Sequence, residues 1–110
     1  MVIQQGSIIM VSFSPTSGSE QAGYRPAVVI SNETFNENTN FIIVLPVTNT
    51  DNGFPLHVPI GNRCKTKGFI LCEHIRSIDA NSRRIKLVEK LPGDILKRVI
   101  ALTKAEIAMD

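Results

Sequence analysis

Four residues within seven positions, Ser19, Glu20, Gln21 and Arg25, have side chains suited to a phosphate ester. The Arg25 guanidinium keeps its charge at neutral pH, and its forked donors match two phosphate oxygens at once. Glu20 supplies a carboxylate that can position water or act as a general base. Gly18 and Gly23 let the segment fold close to a polymer backbone. They form no phosphate-loop motif, and a structural reading stands beside the chemical one: Arg25 as a solvated cation at the start of a strand, paired with Glu20 or another acid.

Three more positions carry chemistry. Thr48 ends the run "FIIVLPVT"; its hydroxyl can donate to a non-bridging phosphate oxygen or simply close a turn. Glu73 lies inside the apolar run "FILCEHI", where an acid needs a partner; Arg76 and Lys65 are the candidates. His74 follows it and can face the same groove. His57 falls opposite the apolar face of "FPLHVPI", a pattern that places it on the surface. Asn49, Gln21, Asn52 and His74 can read base edges, and Tyr24 or Phe54 can stack on a base, although an Asn in a turn is often only a turn residue.

The elements that must hold these groups follow from the hydrophobic pattern. Residues 7–13, "SIIMVSF", form an apolar, β-branched run bounded by Gly6 and Pro15, which predicts a strand buried on both faces. An eleven-residue loop, 14–24, precedes a second strand over 25–31, with Pro26 at its start. Ser31 or Asn32 can cap a short helix. A third strand covers 41–47. In 54–60, Pro55 and Pro59 remove two donors from the same side, which predicts an edge strand. A basic loop, "GNRCKTKG", leads to a long strand over 69–78 whose alternation slips near Glu73, as at a bulge or a site. Asp79 can cap a turn, and "IKLVEKL" is a last strand. From Pro92 the period becomes helical: Ile95, Leu96, Val99, Ile100, Leu102, Thr103 and Ile107 share a stripe. The pattern is mainly β with a C-terminal helix, in a single domain over residues 1–110.

Composition narrows the class. The chain has 110 residues, 43% hydrophobic and 20% charged, with a net charge of +2. That charge permits a phosphate-bearing partner without demanding one. Two cysteines, Cys64 and Cys72, give no disulfide framework, and with two scattered histidines they make a poor metal set. No metal or cofactor is expected. No segment approaches the length of a membrane span, so the expectation is a soluble, cytoplasmic protein.

The motifs resemble the MazF/PemK toxins. "GSIIMVSFSPTSGSEQAGYRPAVVIS" is similar to that family's opening: a hydrophobic run, a P-T-x-G-x-E-Q loop, then R-P and a strand. "LPVT" matches its Pro-hydrophobic-Thr, and "GFILCEHIRSID" matches its later acidic strand. The likeness runs from Gly6 to about Met109. It implies a small SH3-like β-barrel with a C-terminal helix, assembled as a homodimer. It implies a metal-independent, sequence-specific endoribonuclease cutting single-stranded RNA, and a cognate antitoxin whose tail occupies the RNA groove. By position, Arg25 and Thr48 match the central pair, with Glu20 as the candidate base and Glu73 second. Ser19, Gln21, Asn49, Glu73 and His74 are candidate RNA contacts. Some members carry His where Ser19 stands and Arg where Leu71 stands, so a mechanism built on those groups does not transfer. Two rivals remain: a non-catalytic RNA- or antitoxin-binding relative, and a toxin that acts on DNA gyrase through its terminal helix.

Overall fold

A computed structural model describes residues 2–13, 18 and 23–110. Among these, the strands are β1 (Ser7–Ser12), β2 (Tyr24–Val29), β3 (Phe41–Thr48), β4 (His57–Pro59), β5 (Phe69–Leu71), β6 (Arg76–Asp79) and β7 (Ile85–Lys90). Helix α1 (Glu33–Asn38) lies between β2 and β3, and α2 (Gly93–Ile107) ends the chain. The antiparallel order is β4-β5-β3-β2-β1-β7, with β6 also on β3. The barrel is therefore open, with β4 and β7 at its ends. The edge position of β4 agrees with its proline pattern, although the strand is shorter than the 54–60 run predicts.

Alternation explains why the central strands are apolar throughout. Ile8, Val28, Leu45 and Val47 point into one core, where α2 contributes Val99 and the outer strands contribute Val58 and Ile70. Ile9, Val11, Ala27, Val29, Ile42 and Val44 point into a second core, closed by Phe13 and Ile78. A strand buried on both faces has no polar alternate, which is why 7–13 and 41–47 read as continuous hydrophobic runs.

The long strand predicted over 69–78 is two strands. β5 pairs with β3 at Val47 and Thr48, and β6 rejoins β3 at 41–44. Between them the chain turns out of register over Cys72 and Glu73. The slip in alternation near Glu73 marks this detour.

The caps behave as the sequence suggests. Asn32 Oδ1 accepts from the Phe35 N–H at 2.9 Å, and Asp79 Oδ1 accepts from the Asn81 N–H at 2.9 Å. In α2, Val99 and Thr103 are buried, and Asp94 in the first turn favours the positive helix end. Ile107 continues the stripe but is 76% exposed, because α2 runs on past the core it covers. Both cysteines are free and buried. Burial, with Glu106 and Glu73 nearby, pushes the Cys72 thiol up to about 12, so it is an inert part of the core.

Candidate functional site

The site is built where β2 begins and β3 ends. The register pairs Ala27 with Pro46, Val28 with Leu45 and Val29 with Val44. The ladder ends there, two residues short of Arg25 on β2 and two short of Thr48 on β3, so the two residues lie at neighbouring strand ends.

Two hollows are lined by residues at and just beyond the end of β3. One, of about 230 Å³, is lined by Tyr24, Arg25, Pro26, Val47, Asn49 and Lys67. The other, of about 420 Å³, is lined by Thr48, Thr50, Asn52, His57, Leu71, Glu73 and His74. Thr48 stands in the chain between Val47 and Asn49, so the residues that line the two hollows alternate along the end of β3. The Thr48 hydroxyl accepts a long bond from the Thr50 N–H, 3.3 Å.

Glu73 has a partner other than those the sequence offers. Its Oε2 lies 2.7 Å from His57 Nε2 and 3.7 Å from His74 Nε2. Arg76 instead donates to the Phe13 carbonyl at 3.1 Å and packs over the Phe13 ring. Lys65 belongs to a loop held by Glu89. The surface position expected for His57 is also corrected: its side chain is only 7% exposed. The physical reason is the detour at Cys72 and Glu73. His57 pairs with Leu71 across β4 and β5, so Glu73 turns over the outward face of β4 and covers the imidazole. Phe54 closes the other side edge-on, with ring centroids 5.2 Å apart. His57 Nδ1 and Glu73 Oε1 are both buried without a hydrogen-bond partner. The negative charge of this cluster extends to α2, where burial and then Glu73 raise the Glu106 carboxyl above its ordinary value.

Of the predicted residues, Thr48, Glu73 and His74 share the larger hollow, and Arg25 and Asn49 share the smaller. Ser19, Glu20 and Gln21 lie outside the described residues. Among the described residues, no cluster of His, Cys, Asp and Glu is arranged to hold a metal ion. Sequence reasoning missed His57 and Lys67. A strand-interior acid with no cation at fixed spacing, near a histidine in a neighbouring edge strand, was the available signal for the first.

The fold and this cluster define a class: a small open β-barrel with a cation and a hydroxyl at paired strand ends. Within that class the chain belongs to the PemK-like, MazF-like toxins of type II toxin–antitoxin systems, whose family model matches residues 4–104. It is 38% identical over 106 residues to the endoribonuclease toxin MazF of Escherichia coli strain K12, covering 96% of this chain and 91% of the relative. The crystal structure of MazF from Deinococcus radiodurans superposes with a TM-score of 0.92 at 32% identity, over 99% of each chain. A MazE–MazF crystal structure from the same organism gives a TM-score of 0.86 at 32% identity, covering 100% of this chain and 99% of that one.

Proposed function

We propose that this chain is the toxin of a type II toxin–antitoxin pair and that it cleaves single-stranded RNA as an endoribonuclease. Its relative from Escherichia coli is an endoribonuclease toxin, and the family is one of toxins with antitoxin partners. The observation that supports the site assignment is the antiparallel pairing of β2 with β3, which ends at Ala27 and Pro46, two residues from Arg25 and two from Thr48.

In the route we infer, the RNA supplies its own nucleophile. The 2′-OH attacks the adjacent phosphorus, the P–O5′ bond breaks, and the products are a 2′,3′-cyclic phosphate and a 5′-hydroxyl. Arg25 neutralises charge building on the non-bridging oxygens, and Thr48 donates to the same oxygens. Arginine holds its proton too tightly near neutrality to serve as the acid, so the leaving 5′-oxygen takes its proton from water. Glu20 is proposed as the base that accepts the 2′-OH proton, with Glu73 second. Glu73 is supported by its place in the hollow that Thr48 lines. No step calls for a metal ion. Ser19, Gln21, Asn49 and His74 are proposed to contact the RNA around the scissile bond.

The assembly proposed is a homodimer that a cognate antitoxin inhibits, as suits a relative solved with MazE. No helix among the described residues is long and apolar enough to cross a membrane. The proposed compartment is the cytoplasm, where RNA is available.

The test is cleavage of a mixed single-stranded RNA pool in EDTA, with mapping of the released ends. The wild-type chain is expected to leave 2′,3′-cyclic phosphates. Arg25→Ala is expected to lower the rate at least ~10²-fold, the scale of losing one preorganised donor, with urea unfolding unchanged. A folded Arg25→Ala variant that cuts at the wild-type rate, or stays toxic without cutting, refutes the assignment.

A further inference from the structure

Lys67 stands in the Arg25 hollow, yet nothing in the sequence singles it out from the other basic residues of its loop. Among the described residues, two of the six that line that hollow are cations and none is an acid. Like charges brought to one hollow raise its positive potential and favour an anion there.

The loop that carries Lys67, residues 61–68, is fastened at several points. The Glu89 carboxylate on β7 accepts three hydrogen bonds from it: Lys65 N–H at 3.1 Å, Thr66 N–H at 2.8 Å and Thr66 Oγ1–H at 2.8 Å. These bonds hold the Glu89 carboxyl below its ordinary range. Arg63 pairs with Asp94 at the start of α2, 2.7 Å apart. Cys64 is buried in the first core. The loop then ends at Gly68, whose backbone is pressed against the Thr48 carbonyl: a Cβ there would lie 2.3 Å from that oxygen. Lys67 is thus one residue from a packing contact with the catalytic strand end. Its backbone position is set by the same strand that positions Thr48.

The ammonium is also pre-placed. Lys67 Nζ donates to the Cys64 carbonyl at 3.1 Å. An ammonium has three donors, so two remain for a ligand. Holding the amine by one neutral carbonyl limits its conformers without cancelling its charge.

We propose that Lys67 binds an RNA phosphate next to the one held by Arg25, and that Glu89 is the positioning residue that holds the Lys67 loop in place. This rests on the endoribonuclease reading above. It adds a second backbone contact, one that anchors the strand while the scissile group reacts.

The test measures binding of an uncleavable RNA, 2′-deoxy at the scissile nucleotide, across a series of salt concentrations. Each phosphate contact to a single strand contributes about 0.7 to the slope of log affinity against log salt. Lys67→Gln is expected to lower the slope by about 0.7 and the low-salt affinity by about tenfold. Lys67→Arg is expected to keep the slope. Glu89→Ala, with its loop unfastened, is expected to lose affinity in the same direction, and Lys67→Gln added to it is expected to cost less than in the wild type. Lys86→Gln, at an exposed β7 position that does not line the hollow, is the charge control and is expected to leave the slope unchanged. A slope unchanged in Lys67→Gln, or lowered equally in Lys86→Gln, overturns the proposal while wild-type cleavage still stands. A wild-type chain that neither binds nor cuts RNA instead removes the endoribonuclease reading on which it rests.

Discussion

Substituting alanine for Gly68 tests whether the end of β3 is held in place from behind. Gly68 has φ +127°, outside the ordinary range of an L side chain. Its added Cβ would sit 2.3 Å from the Thr48 carbonyl oxygen and 3.1 Å from Val47 Cγ1. Ordinary contact begins near 3.4 Å. The difference, 3.4 minus 2.3, means that about 1 Å of separation must be found between two backbones. Relief can come only by moving Thr48 or by moving Gly68 with its loop. Holding the backbone at such a φ costs on the order of 1–3 kcal/mol before the overlap is counted. A displacement near 1 Å at reacting groups can cost about 10²-fold in rate. Gly61→Ala is the matched control: its φ is +82°, and open space surrounds the added carbon. It carries the backbone strain without the clash. The assays are urea unfolding and kcat/KM on a short RNA. Gly68→Ala is expected to lose about 10²-fold in kcat/KM while still folding, and Gly61→Ala to lose stability of about 1–2 kcal/mol with activity near wild type. Equal activity in the two variants would refute the idea that Gly68 fixes Thr48.

Two further outcomes follow from the acidic cluster. Removing the imidazole with His57→Ala leaves the Glu73 carboxylate without its 2.7 Å partner, when its other oxygen already has none. A loss of about 1–3 kcal/mol is expected, partly restored by His57→Gln; an unchanged urea midpoint would show that the pair contributes nothing. The Glu106 carboxyl is raised in the folded state, first by burial and then by Glu73. A raised carboxyl destabilises the fold above its folded pKa, and that penalty shrinks as pH falls through the raised value and is gone below the ordinary one. Glu106→Gln is therefore expected to stabilise the protein at neutral pH and to match it in acid, as read by unfolding midpoints across pH. A gain that persists in acid contradicts the sign.

Much of this architecture is written into local patterns. Residues 41–47 are apolar on both parities, and such a run can only be a central strand or a fully buried helix. Pro46 and the β-branched residues decide for the strand. Pro55 and Pro59 mark the barrel's edge, and the change to helical spacing after Pro92 marks α2. Arg25 and Thr48, the proposed pair, stand out in the sequence through the motifs that resemble the family's, and the pairing of β2 with β3 brings their strand ends near each other. The His57–Glu73 pair is a different case. Alternation within 54–60 sends His57 outward, and only the three-dimensional detour between β5 and β6 brings a carboxylate onto that face. Lys67 was hidden for a similar reason. Its loop reads as a basic surface segment, and the feature that assigns it a place is a carboxylate 22 residues further on, Glu89, which no local pattern connects to it.

β3 lends one side to β2 and the other to β6 and β5 in succession, and Thr48 is its last residue. The position of that hydroxyl is therefore a property of the whole sheet. In a growth selection against the toxin, escape alleles should accumulate at Val44, Leu45 and their packing neighbours as well as at polar groups in the groove. A misalignment of β3 well short of unfolding is expected to be enough to silence the protein.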